Sequence, residues 1–144
     1  MYASKMWDWF ATIGLTREQA YEIFDFDALI DHGTVRAKKG RVPPNSEQMR
    51  TYRPTLIKNV EKLKPKLIIP IGNLAIRQVL DQNVLLEDVI GKEIKTKPFG
   101  ILDNEATIIP LPHPSGVSLW LNSAYNKKLL EQALVLTKQT LNSL

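Results

Sequence analysis

The chain has 144 residues, 44% apolar and 24% charged, with a net charge of +4 and no cysteine. That balance suits one globular domain with a single core, here taken as residues 1–144, and it excludes disulfides and thiolate metal sites. No apolar run approaches the ~20 residues needed to span a bilayer, and MYASKMWDWF lacks the pattern of a cleavable signal, so a cytoplasmic protein is expected.

The charge is unevenly placed. Residues 1–35 hold Lys5 and Arg17 against Asp8, Glu18, Glu22, Asp25, Asp27 and Asp31. Residues 36–66 reverse this: Arg36, Lys38, Lys39, Arg41, Arg50, Arg53, Lys58, Lys62, Lys64 and Lys66 stand against Glu47 and Glu61. Such a segment suits an anionic partner such as nucleic acid, or is a solvated loop and helix face.

In chain order, Ser4 reads as an N-cap, and Met6, Trp9, Phe10 and Ile13 recur at helical spacing until Gly14. Thr16 caps a short second turn, TREQAY, and IFDFDALI alternates as a strand would. Residues 32–45 read as a basic loop ending in Pro-Pro. Ser46 and Glu47 open a helix through Leu63, with Pro54 predicting a kink or a later start. KLIIPIG, 66–72, has the unbroken apolar run of a buried parallel strand and is followed by a helix over NLAIRQVL. A helical turn is expected over 85–91, strands over EIKTKPFG and ATIIPLP, and an amphipathic helix from Ser123 to Leu144.

Strands alternating with helices predict an α/β fold, a three-layer αβα sandwich with a mainly parallel central sheet. Ligands of such sheets lie beyond the carboxyl ends of the strands. Two turns fall there, one after Ile71 and one after Leu111, the second within IIPLPHPSGVSLWLNS. Pro112 and Pro114 restrict His113 on both sides. Ser115 is placed to cap a following helix whose amides would face an anion. An imidazole beside free N–H groups can donate to a negative oxygen, or His113 simply satisfies local hydrogen bonds. With two histidines and no cysteine, a zinc site is not expected, nor any other cofactor.

RPTLIKNVEKLKPKLIIPIGNLAIRQVL followed by IIPLPHPSGVS resembles the uracil-DNA glycosylase superfamily. The matching residues are Pro65, Ile68, Ile69, Gly72 and Ala75, then His113, Pro114 and Ser115, and the likeness extends from about Trp9 to Leu121. The resemblance implies a glycosylase-like fold and hydrolysis of the N-glycosidic bond of uracil or a related damaged base. The base is extruded from DNA, since its bond is hidden in the stack. His113 would be the donor to the departing base. Ser115 and the amides of Gly116 and Val117 would hold a phosphate, and Gly72, Asn73 and Ala28 would contact the DNA or its extruded base. Val117, Leu119 or Trp120 would wedge into the vacated space, and Arg41, Lys38 and Lys39 would contact the DNA backbone.

The chain departs from the family pattern in three places. It has no Gly-Glu-x-Pro-Gly type loop, so the first strand is expected to be missing and the domain N-terminally incomplete; Asp25, Asp27 or Asp31 would have to activate water, with Asp27 the first choice. The uracil-reading asparagine falls near Ala28. The cysteines of the iron–sulfur branch are absent, and His32, near one of those positions, is expected at the surface. The alternative is a non-catalytic nucleic-acid or partner-binding module of the same fold. The oligomeric state is left open.

Overall fold

A computed structural model describes residues 2–24, 35–37, 40–42, 46–114 and 120–144. The chain divides into two compact units, Asp25–Lys64 and the combination of Met1–Phe24 with Pro65–Leu144.

The smaller unit contains a two-stranded antiparallel hairpin, β1 (Val35–Ala37) and β2 (Gly40–Val42), with Arg36 opposite Arg41. The expected structureless basic loop over 32–45 therefore carries a strand pair. Helix α3 (Ser46–Leu63) runs unbroken through Pro54. A proline there removes one backbone N–H from the ladder, and the 18-residue helix absorbs that loss without a late start.

The larger unit opens with α1 (Tyr2–Thr12) and α2 (Arg17–Ile23). Ser4 lies inside α1 and does not cap it. Gly14, at φ 82°, ends the helix: its N–H donates to the Ala11 carbonyl at 3.0 Å, and that of Leu15 to Phe10 at 3.0 Å. Thr16 then starts α2 with a reciprocal cap, its hydroxyl accepting from the Gln19 N–H at 3.1 Å and the Gln19 carboxamide oxygen from the Thr16 N–H at 3.0 Å. Ile23 belongs to α2, so the strand expected over IFDFDALI does not begin there; Asp25 to Ile30 lie outside the described residues.

Three strands form the second sheet in the order β3-β5-β4: β3 (Leu67–Ile68), β4 (Ile94–Thr96) and β5 (Ala106–Ile108). β3 pairs parallel to β5, and β4 pairs antiparallel to it. Among the described residues the sheet is thus small and mixed. The reason is local: the connection from Lys97 to Glu105 is too short for a crossover helix and allows only a hairpin return. β3 is half-buried, not fully buried as its apolar run suggested.

Parallel pairing continues past the regular strands. The N–H groups of Thr107, Ile109 and Leu111 donate to the carbonyls of Lys66, Ile68 and Pro70 at 2.9, 3.0 and 2.9 Å, and Ile71 bridges Leu111. Odd-numbered residues of this stretch therefore face β3, so the amide position of Pro110 faces the opposite side, where β4 has already ended. Prolines are tolerated there because no ladder bond is demanded of them.

Helix α4 (Asn73–Leu80) leaves Gly72 directly and buries Ile76 and Val79; it ends at Asp81 in the left-handed conformation. A short helix, α5 (Leu86–Val89), precedes Gly91. The strand expected over EIKTKPFG stops at Thr96, and Pro98–Gly100 forms a 3-10 turn packed against α4. Phe99 within it has φ 59° and is 1% exposed. A left-handed bulky residue costs about 1–2 kcal/mol, whereas fully burying a phenylalanine side chain gains about 1.5–3 kcal/mol, so burial carries the strain.

Helix α6 (Ala124–Ser143) starts at Ser123, whose hydroxyl accepts from the Asn126 N–H at 3.4 Å, and buries Leu130, Ala133, Leu134 and Thr137 at helical spacing. The three apolar residues of this set meet Trp9, Phe10, Ile13, Ile76, Ile90, Ile109 and Leu111 in one core. Ile76 of α4 and Ile109 and Leu111, just past β5, all belong to this core. No described helix is long and apolar enough to cross a membrane.

Candidate active site

Both turns singled out from sequence meet at one place. The carboxyl end of β3 becomes Gly72 and then α4, while the continuation of β5 becomes Leu111, Pro112 and His113. The Gly72 N–H donates to the Leu111 carbonyl at 2.9 Å, which ties one turn to the other across the parallel pair.

His113 is exposed, but Pro112 and Pro114 on either side are fully buried. The two pyrrolidine rings anchor the backbone in the protein and leave the imidazole at the surface between them. Proline fixes its own φ and restricts the residue before it, so the histidine has little backbone freedom to lose on binding. The side chain lies close to Gly72. A Cβ added to that glycine would lie 3.3 Å from the imidazole Cδ2 and 3.5 Å from the His113 Cβ. Partial burial in this setting lowers the imidazole pKa from its ordinary value. The neutral form is thereby favoured at neutral pH, and a neutral imidazole still has one N–H to donate.

Gly72 has φ 89°, a conformation that side-chain-bearing residues rarely adopt. Its carbonyl accepts the first helical bond of α4, from the Ile76 N–H at 3.0 Å, and Asn73 is exposed at the first position of that helix. Thus His113, Gly72 and Asn73 come together. Arg41 lies in β2, in the other unit. Asp27, Ala28, Lys38, Lys39, Ser115, Gly116 and Val117 lie outside the described residues, as do Asp25, Asp31, His32 and Leu119.

Trp120 begins a 3-10 turn, Trp120–Asn122, and packs against the core; its indole nitrogen is buried without a hydrogen-bond partner among the described residues. It is partly buried there. Trp9 and Phe10 are buried in the core, and Trp7 lies half-buried with the Arg17 guanidinium 5.0 Å from its ring centroid. Sequence reading placed Gly72 among the DNA- or base-binding residues, and missed that it packs close to the histidine. The signal available was a glycine ending an apolar strand and opening a helix.

Among the described residues, no group of three histidine or acidic side chains is arranged to hold a metal ion. The arrangement can be described from protein groups: a surface imidazole, rigidly borne, at the carboxyl end of two adjacent parallel strands. That is the ligand-facing rim of an α/β domain.

The profile of the Uracil DNA glycosylase superfamily matches residues 3–134, and the chain belongs to that superfamily. The match runs across both compact units. No match to a curated protein is found.

Proposed function

We propose that the protein is a DNA glycosylase of base-excision repair, acting on uracil or a related damaged base extruded from DNA. The family supports a glycosylase-like role, and the observation that carries the reading is His113, held between two buried prolines with its side chain close to Gly72. In the reaction the bond from the sugar C1′ to the base nitrogen breaks, and its electron pair leaves with the base. The His113 N–H donates to the carbonyl oxygen on which that charge collects. Water supplies the oxygen that bonds to C1′, Asp27 takes the water's proton, and the departing base is finally protonated. A preorganised donor of this kind is worth about 3–4 kcal/mol in the barrier.

Ser115 and the amides of Gly116 and Val117 hold a phosphate beside the extruded nucleotide in this reading. Gly72, Asn73 and Ala28 border the base, and Arg41, Lys38 and Lys39 meet the backbone of the DNA. The sheet forms part of a three-layer αβα sandwich with a mainly parallel centre. In this reading residues 1–144 are one domain, and the protein works in the cytoplasm.

The test is to incubate the protein with uracil-containing single- and double-stranded oligonucleotides and cleave abasic products with alkali. Strand scission that depends on the protein supports the enzyme. The ten basic residues between Arg36 and Lys66 favour a second reading, a non-catalytic nucleic-acid-binding module. Salt-sensitive binding without any abasic product would select it.

A further inference from the structure

We propose that Gly72 is a positioning residue for His113: it supplies a flat backstop against which the imidazole rests and thereby sets where the ring's donor points. This rests on the reading of His113 as the donor, and extends it to the residue beside the ring.

Three observations meet at Gly72. Its φ of 89° lies where a side chain is strained whatever the space around it. The space is also taken, because a Cβ would stand 3.3, 3.5 and 3.8 Å from the Cδ2, Cβ and Cγ atoms of His113. The first of these distances is tighter than ordinary van der Waals contact, so the ring would have to give. The third observation is that the backbone on both sides is fixed. The Gly72 N–H is bonded to Leu111 at 2.9 Å, two residues before the histidine, and the Gly72 carbonyl is bonded to the Ile76 N–H at 3.0 Å.

These restraints decide what moves when a methyl group is added. The glycine cannot retreat without losing a ladder bond or the first bond of α4. His113 cannot shift along its own chain, since Pro112 and Pro114 are fully buried on either side. What gives is the imidazole side chain, by a few tenths of an ångström. Misplacement of a catalytic group by about 1 Å costs on the order of 100-fold in rate, so this smaller shift costs a correspondingly smaller factor. The added methyl group therefore acts on the histidine and not on substrate binding by the basic segment.

The experiment combines two measurements on Gly72→Ala in the full chain. The His113 titration midpoint is followed by NMR in a His32→Gln background, so that one imidazole titrates. Cleavage of a uracil-containing oligonucleotide is measured beside it. The expected result is a midpoint that moves up from its lowered value as the ring is pushed outward, with cleavage slowed by roughly several-fold. An unchanged midpoint in a folded Gly72→Ala protein overturns the proposal, whatever the cleavage rate. If the parent protein does not cleave at all, the reading of function fails while the midpoint still decides the positioning role.

A stability cycle covers the case in which the variant folds poorly. Gly72→Ala is compared in the parent and in the His113→Ala protein, where the opposing ring is gone. A substitution penalty that shrinks in the His113→Ala background supports the backstop. An equal penalty in both backgrounds assigns the cost to backbone strain alone and removes it.

Discussion

The Gly72 N–H lies 2.9 Å from the Leu111 carbonyl, and this one backbone bond joins the two turns that sequence reading treated separately. Through it the entry to α4 and the approach to His113 share a rung of the parallel ladder. Anything that moves one turn is felt in the other, which is why the histidine depends on the fold around it as well as on its own loop.

Replacing His113 by alanine tests the donor most directly. The side chain is exposed, so the fold should persist with an unchanged far-UV spectrum. Excision of uracil should fall by about 100- to 1,000-fold, the usual cost of one such donor. Equal rates for the two proteins, measured as abasic product under single-turnover conditions, would end the role.

The lowered pKa of His113 has a definite consequence for stability. The folded chain holds this proton less tightly than the unfolded chain does. Between the lowered folded value and the unfolded value of about 6.5, the unfolded state binds more protons, and stability rises with pH. The contribution is complete above that window and is lost as the pH falls through it. Urea midpoints taken from pH 7.5 down to 5 should decline less steeply in His113→Gln than in the parent.

Gly100 has φ 72°, and a Cβ there would meet the Asp81 carboxylate oxygen at 2.9 Å. Gly100→Ala should therefore lower stability by about 1–2 kcal/mol from the left-handed backbone alone, with any added cost set by how far Asp81 can swing aside. Thermal melts of the two proteins measure it. A melting temperature that stays the same would show that the Phe99–Gly100 turn relaxes freely.

Changing Lys38, Lys39 and Arg41 together to alanine should weaken DNA binding about equally across sequences. It should also flatten the dependence of log affinity on log salt by about 0.9 for each phosphate that is no longer neutralised. Fluorescence anisotropy at several salt concentrations reads this. An unaltered slope would return the segment to ordinary solvation.

Sequence was most informative where one local rule acted alone. NLAIRQVL became α4 with the expected bounds because a glycine, an apolar spacing and a left-handed exit all agreed. Thr16 capped α2 because Thr-x-x-Gln contains both halves of a reciprocal cap. It failed where tertiary context outweighed the local signal. Ile23 alternates with Phe24 and its successors, yet the cap at Thr16 carries the helix through it. Pro98–Gly100 reads as the end of a strand, yet burial of Phe99 outweighs the cost of a left-handed backbone. His113 was legible from its flanking prolines, but its packing against Gly72 spans about forty residues of chain and has no periodic signature.

Pro110 and Pro112 have a further effect on the side of β5 that faces away from β3. A strand beyond Ile108 presents carbonyls there, but at Pro110 it has no N–H to offer. Both prolines are fully buried, so the side of the chain that would otherwise hide an amide donor inside the protein has none to satisfy. The chain thus reaches the histidine through buried backbone that asks for fewer hydrogen-bond partners than any other residues in those places would.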